Sequence, residues 1–459
     1  MAPHEKFKFS TLDEIRSKAE QLGADVHFHE DLRVLAEPVP VGGRLAPNAF
    51  AVLPMEGCDC EPDGAPSELT RRRYRRFAAG GAGLLWWEAC AVVPEGRANP
   101  LQMMITKENT AAFRDTLQQS RDAARQSMGE GFHALNILQL THSGRYSRPH
   151  GTRPIPLIAQ RDPILDPRVG VTDDTAVVSD AYLDSLPERY ADAAQCAQEA
   201  GFDGVDIKAC HRYLMSELLA SHTRPGKYGG SFENRTRLLR MCIRAVRACV
   251  GEDFLIACRF NVFDAHPYPY SFGCEKEDMW AFDPTEPLAL VAMLKEEGVN
   301  LLSNSAGNPY YIYPQVTRPF DTSSMGIPTP DEHPLQSTAR LFAFTRLIQQ
   351  AAGEIPVVGN GYTWLRQFLP YAGADNLLRG GCRFVGLGRS SFAYPEAPKD
   401  VLSGRGMQPQ KCCITCSKCT QIMRDQGRTG CVIRDAELYA PLYRQARAAA
   451  QAREEAQRV

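Results

Sequence analysis

From residue 48 onward the chain alternates short apolar runs with longer stretches whose apolar positions recur at helical spacing. Eight runs read as strands: AFAVLP (Ala49–Pro54), GLLWWEACAVV (Gly83–Val93), ALNILQL (Ala134–Leu140), GVDIKA (Gly204–Ala209), FLIACRF (Phe254–Phe260), NLLSNS (Asn300–Ser305), IPVVGN (Ile355–Asn360) and RFVGLG (Arg383–Gly388). Runs that are apolar at nearly every position belong to strands buried on both faces, as in a parallel sheet. The stretches between them predict helices over Ser67–Ala79, Thr110–Met128, Pro187–Ala200, Arg235–Val250, Pro284–Glu297, Thr338–Ala352 and Tyr362–Tyr371. Gly201, Gly251 and Gly298 each follow a helical stretch, where a left-handed residue can close the last turn.

Eight strand–helix units predict an α/β fold, a closed (β/α)8 barrel over residues 48–400. A doubly wound open sheet is the alternative. The barrel is preferred because the polar exceptions Glu88, Gln139, Lys208, Arg259, Ser303, Asn360 and Arg389 cluster at strand C-terminal ends, which converge on one mouth of a barrel. Residues 1–47 read as a helix and a Pro/Gly-containing extension. Residues 401–459 carry a cysteine loop and then a helix rich in Ala, Arg, Glu and Gln. The segment from Thr141 to about residue 180 is too long for a simple connection and is expected to serve function.

Composition narrows the class. A formal net charge of -2 gives no electrostatic footprint for nucleic acid. No apolar run reaches membrane-spanning length. The first residues, MAPHEKFKFS, lack the apolar core of a secretion signal, so a cytoplasmic, reducing setting is expected. The basic run Arg71–Arg76 on the first helix reads as a solvated face, with docking of an acidic electron carrier a weaker reading.

In a reducing setting, clustered cysteines point to metal or redox chemistry rather than disulfides. Five of the 15 cysteines fall between Cys412 and Cys431. Cys413, Cys416, Cys419 and Cys431 form a Cys-x2-Cys-x2-Cys-x11-Cys set that suits zinc or an iron–sulfur cluster. Zinc ribbons use two Cys-x2-Cys knuckles, whereas three close thiols and one distant thiol suit the corners of a [4Fe–4S] cubane. Cys412 could take the place of Cys413. The other ten cysteines read as small buried hydrophobes.

Six stretches, in order from about residue 48 to 400, resemble the Old Yellow Enzyme family of flavin-dependent ene-reductases. They are LPMEG (Leu53–Gly57), EACAVVPEGR (Glu88–Arg97), LQLTHSGR (Leu138–Arg145), the segment Gly201–Arg237, VGNGY (Val358–Tyr362) and VGLGRSSFAYPE (Val385–Glu396). The tail is similar to that of the iron–sulfur subgroup that includes 2,4-dienoyl-CoA reductase and enoate reductase, with one residue fewer between the second and third cysteines. The resemblance implies FMN, with Pro54, Met55, Glu56 and Ala89 along the flavin and Gln139 at its pyrimidine edge. Arg259, read as ending the fifth strand, would face the N1/C2=O end of the ring. Gly359, Asn360 and Gly361 after the seventh strand, with Gly388 and Arg389 after the eighth, match a phosphate site.

At the fourth strand the family's substrate-binding pair is His-x-x-His or His-x-x-Asn. Here Lys208 occupies the first position, His211 the second, and Tyr213 matches the family's proton donor. The expected function is an oxidoreductase that transfers hydride from reduced FMN to the activated C=C bond of a small unsaturated carbonyl compound. An oxidative amine demethylase is the second reading. A non-catalytic barrel stapled by zinc is the third. The multidomain relatives carry FAD and NAD(P)H domains after the cysteine loop, and no strand–GxGxxG–helix unit follows Cys431 here. Electrons are therefore expected from a separate protein or from NAD(P)H directly, and a homo-oligomer is allowed.

Overall fold

Each apolar run becomes a strand, and the strands close on themselves. The computed structural model describes residues 4–311, 316–320 and 331–456. The outer ends of the predicted extension and tail helix, residues 1–3 and 457–459, lie outside the described residues. In chain order the strands are β1 (Val39–Val41), β2 (Arg44–Ala46), β3 (Phe50–Val52), β4 (Leu84–Ala91), β5 (Leu135–Thr141), β6 (Gly204–Ile207), β7 (Leu255–Phe263), β8 (Leu301–Ala306), β9 (Val357–Gly359) and β10 (Phe384–Leu387). β3 to β10 pair in parallel around a closed barrel in which β10 meets β3. The open-sheet alternative is thereby excluded.

The barrel interior is packed with side chains, among them Ala51, Leu84, Trp86, Ile137, Leu255, Ala257, Leu301, Val358 and Phe384. The β1–β2 hairpin, unforeseen in the extension, places Val39, Val41 and Ala46 against this cluster. Its turn, Gly42-Gly43, has positive φ at both positions, the geometry a two-residue hairpin demands. A Cβ at Gly42 would lie 2.8 Å from Asn300 and Leu255, so the turn seats closely on the bottom of the barrel.

The helices follow the predicted spacing, with starts set by caps. Ser67, Ser179 and Ser231 each accept a hydrogen bond from a first-turn N–H of the helices Glu68–Ala79, Asp180–Ala200 and Phe232–Val250. Each cap contributes about 1 kcal/mol. The second of these begins seven residues before the predicted start at Pro187, because Leu183 and Leu186 extend its buried face. The predicted helix Tyr362–Tyr371 is instead a 3-10 stretch, Tyr362–Phe368, broken by Arg366 at φ 48, followed by a helix over Leu369–Leu378.

The Arg71–Arg76 run is not a solvated face. Arg73 is buried between two buried carboxylates, Asp59 at 2.6 Å and Glu88 at 2.5 Å. Arg72 and Arg76 grip Asp435 at 2.7 and 2.6 Å. That carboxylate immediately precedes the tail helix Ala436–Ala456. The run therefore ties the cysteine tail to the barrel. Among the described residues, no helix is long and apolar enough to cross a membrane.

Candidate active site

The C-terminal strand ends surround a cavity of about 220 Å3. Its wall carries Pro54, Met55 and Glu56 after β3, Gln139 on β5, and Lys208, His211 and Tyr213 after β6. Arg259 on β7, Asn360 and Gly361 after β9, and Gly388 and Arg389 after β10 complete the sequence-predicted set. Ala89 and Gly359 are buried in their strands and do not line it. Glu88 sits at a register shift of β4 between Trp87 and Ala89 and is turned toward Arg73, as a bulge re-aims a side chain. Ser303 is buried, and Ser305, two positions along the same face, lines the cavity instead.

Lys208, Tyr213 and Glu56 form one cluster. The Lys208 ammonium lies 3.3 Å from Glu56 Oε1 and 4.0 Å from the centroid of the Tyr213 ring. The Tyr213 hydroxyl is 3.4 Å from the same carboxylate oxygen and 3.2 Å from the Tyr310 hydroxyl. Burial, reinforced by Glu56, pushes the Tyr213 phenol well above its ordinary pKa, so it stays protonated at neutral pH. His211 is held well below its ordinary value by burial and by the nearby charges of Arg259, Lys208 and Arg318. It is therefore neutral at pH 7.

The turn that presents these groups is strained. His211 and Arg212 both have positive φ, at 65° and 58°, a conformation costly for residues with a Cβ. Its surroundings hold it in place. The His211 N–H donates to Asn261 Oδ1 at 3.3 Å, and Asn261 is itself tied to Asp264 and the Gly307 carbonyl. The Arg212 guanidinium is buried between Asp162 and Asp264, and His266 meets Asp162 at 2.8 Å. Through Asp162 the long loop after β5 braces the turn that carries His211 and Tyr213.

Gln139 and Arg259 share a support beneath the cavity. Asp206 Oδ2 accepts from the Gln139 amide at 2.7 Å and from the Trp86 indole at 3.0 Å, while Oδ1 accepts from the Arg259 N–H at 2.8 Å. An ionised carboxylate only accepts, so it orients the Gln139 amide. Burial raises the Asp206 pKa to about 6. Arg259 is not the last residue of its strand, since β7 continues to Phe263. Its Nε donates to Ser305 at 3.1 Å, and no carboxylate lies within ion-pair distance of it among the described residues.

The four cysteines of the spaced set, Cys413, Cys416, Cys419 and Cys431, line a second cavity of about 20 Å3. Cys419 and Arg389 line both cavities. Thr415 and Ser417 take positive φ, 52° and 60°, which coils the loop around the thiols. Backbone N–H groups of Thr415 and Arg434 point at the sulfurs of Cys413 and Cys431, at 3.4 and 3.3 Å. Burial raises the Cys413 thiol to about 12, against the pull of Arg389. Cys412 lies elsewhere, packed with Tyr394 and Ala397, its thiol donating to the Gln408 carbonyl. Among the described residues, no three His, Cys, Asp or Glu groups are gathered in a metal-ion cluster. Of the other ten cysteines eight are buried, with Cys249 exposed and Cys274 half-buried.

Several cavity residues went unforeseen. Tyr310 and Arg318 come from the loop after β8, and Thr420, Met423, Arg424 and Thr429 from the cysteine tail. The tail's contribution was hidden because a cysteine loop reads as a metal holder, not as a wall. The one available signal was the polar and aromatic string Asn308-Pro309-Tyr310-Tyr311 directly after a strand end.

A closed eight-stranded parallel barrel with a cation-lined cavity at its C-terminal mouth defines the TIM-barrel class of enzyme architecture. The chain belongs to the NADH:flavin oxidoreductase / NADH oxidase family, whose model matches residues 34–273. It is 27% identical over 381 residues to an NADH oxidase of Thermoanaerobacter brockii, covering 82% of this chain and 52% of that protein. A cinnamate reductase of Clostridium sporogenes is 23% identical over 430 residues, covering 89% of this chain and 58% of the relative. The chain thus spans little more than half the length of these relatives. A 2-naphthoyl-CoA reductase, solved with 2-naphthoyl-CoA, shares the fold at a TM-score of 0.67 and 19% identity, over 88% of this chain and 57% of the other.

Proposed function

We propose that this chain is an FMN- and [4Fe–4S]-dependent ene-reductase acting on an α,β-unsaturated carbonyl compound, with electrons from a partner protein or NAD(P)H. The observation that carries the reading is one cavity wall holding Lys208, His211 and Tyr213 beside Arg259 of the neighbouring strand, with Cys419 of the thiol set shared between the two cavities. The family membership and the cinnamate reductase relative support it.

The residues present fit both groups. Arg259 offers a guanidinium with no carboxylate partner among the described residues and Gln139 an amide of fixed orientation, as the polar edge of a flavin requires. Gly361, at φ 93°, and Gly388 leave backbone free of side chains beside Arg389, as a phosphate requires. Four thiols around one small cavity, with N–H groups aimed at two sulfurs, suit a cluster. When bound, FMN supplies a hydride donor and the cluster a store of single electrons.

The chain's own groups do the rest. His211 and Lys208 polarise the substrate carbonyl oxygen, Lys208 by charge and His211 as a neutral hydrogen-bond donor. Tyr213 delivers the proton that the enolate needs at its α-carbon, worth ~10²–10⁴ in rate. The amine demethylase reading is disfavoured by charge. Among the described residues the cavity carries Lys208, Arg259, Arg318, Arg389 and Arg424 against one carboxylate, Glu56, already paired with Lys208.

Anaerobic purification followed by flavin, iron and sulfide analysis tests the cofactors, with about one FMN and four irons per chain expected. Reduction of 2-cyclohexen-1-one by the photoreduced protein tests the reaction. Stoichiometric zinc without sulfide overturns the cluster, and reduction of the oxidised protein by methylated amines, with no reoxidation of the reduced protein by the enone, overturns the reaction.

A further inference from the structure

We propose that Tyr310 returns a proton to Tyr213 after each turnover, so that the two phenols form a relay from solvent to the reacting carbon. The inference rests on the reading above, in which Tyr213 is the acid.

A buried acid must be recharged, and Tyr213 is only 2% exposed. Among the described residues its hydroxyl has two hydrogen-bonding neighbours, Glu56 Oε1 at 3.4 Å and the Tyr310 hydroxyl at 3.2 Å. An ionised carboxylate can only accept. With the Tyr213 proton directed to Glu56, the Tyr213 oxygen is left to accept from Tyr310. The chain of donors therefore runs from Tyr310 to Tyr213 to Glu56, and a substrate that takes Glu56's place receives the same proton.

The other neighbours serve this role poorly. The Lys208 ammonium sits over the ring face, not at the hydroxyl, and is as buried as the phenol it faces. His211 carries no spare proton, because burial keeps it neutral. Its ring centroid is 6.5 Å from that of Tyr213.

Tyr310 is half-buried and lines the cavity mouth with Tyr213. Its ring stacks on Tyr146 at 3.9 Å and 25°, and its N–H donates to Asn308 Oδ1 at 2.9 Å, so the hydroxyl is held in register. Burial raises Tyr310 to about 12, with Arg148 and Arg424 countering Glu56, and it raises Tyr213 as well, so both phenols hold their protons at neutral pH.

The step balances without electrons moving. The Tyr213 O–H bond breaks as the substrate C–H bond forms. The Tyr310 O–H then breaks as the Tyr213 O–H re-forms, and Tyr310 takes a proton from water or a buffer acid. Lys208, 4.0 Å from the ring centroid, steadies the transient negative charge on Tyr213. Tyr310 acts through Tyr213 and is a positioning residue that also carries the proton.

The test uses photoreduced holoenzyme equilibrated in D2O, diluted into H2O for a varied delay, then mixed with 2-cyclohexen-1-one. Deuterium at the product α-carbon after one turnover reports how long the Tyr213 deuteron survives. Tyr310→Phe should lengthen that survival by roughly tenfold or more, compared at matched FMN content. Tyr310→His, which restores a titratable donor, should shorten it again. Equal survival in wild type and Tyr310→Phe overturns the relay, as does a histidine variant that keeps its FMN but restores nothing. Tyr213→Phe runs in parallel. If it reduces the enone at the wild-type rate, Tyr213 is not the acid, and the parent reading fails first.

Discussion

The ammonium of Lys208 stands 4.0 Å from the centre of the Tyr213 ring, and both side chains reach the same oxygen of Glu56. A cation over a phenol ring contributes roughly 0.5–2 kcal/mol when desolvated, and it favours the ring's anionic state further. The lysine at the fourth strand thus serves the acid as well as the carbonyl oxygen.

Lys208→Met keeps the length of the side chain and removes its charge. Reoxidation of the reduced holoenzyme by 2-cyclohexen-1-one should slow by roughly tenfold, the equivalent of ~1.4 kcal/mol. FMN content should hold, because the phosphate end of the cavity is untouched. Stopped-flow traces identical to wild type would remove Lys208 from the chemistry.

The cysteine register can be decided by two variants. Cys413 lines the thiol cavity and Cys412 packs against Tyr394 and Ala397. Cys413→Ala should lower iron content, while Cys412→Ala should leave it near four per chain. The opposite pattern would move the ligand set by one residue.

The barrel was legible because a parallel strand buried on both faces leaves an unbroken apolar run, and all eight runs became strands. The mouth was legible only where polar residues interrupt those runs, as at Gln139, Lys208 and Arg259. Glu88 misled, since a one-residue bulge turns its side chain outward and strand-end polarity alone does not reveal a bulge. The β1–β2 hairpin could have been read from Gly42-Gly43 between short apolar segments. Arg73 was illegible, because its partners Asp59 and Glu88 lie on other elements and a run of arginines looks the same whether solvated or buried. Tyr310 and Arg424 meet the cavity only through tertiary packing of two distant loops.

Asp206 ties stability to pH. Its folded-state pKa is raised from 3.8 to about 6. Its contribution is therefore fully present below about pH 4 and is lost as pH rises through about 6. The span is on the order of 2–3 kcal/mol. Asp206→Asn cannot titrate, so the stability gap between variant and wild type should change by about that amount between pH 4 and pH 7.5. Denaturant curves at the two pH values measure it, and a pH-independent gap would count against the raised pKa. The asparagine NH2 must also face a donor, either the Arg259 backbone N–H that Oδ1 now accepts or the Gln139 and Trp86 donors that Oδ2 now accepts, so one of these two contacts should loosen.

The arginine run allows a contrast between two kinds of ion pair. Arg73 is buried with Asp59 and Glu88, so Arg73→Leu leaves two carboxylates without a counter-charge and should cost ~3–5 kcal/mol of barrel stability. Arg72 and Arg76 are each about one-third exposed where they meet Asp435. Pairs of that kind contribute ~1 kcal/mol or less each. Asp435→Ala should therefore leave the barrel's unfolding midpoint within a few degrees of wild type. It should instead free the segment between Cys431 and the tail helix, because both anchors converge on that one carboxylate. Iron should then be lost to a chelator several-fold faster while FMN stays bound. Unchanged iron release would mean that the tail's other ties hold it without Asp435, among them the Thr429 N–H to the Gly57 carbonyl at 2.7 Å and the Asn99 amide to Gln426 at 2.9 Å.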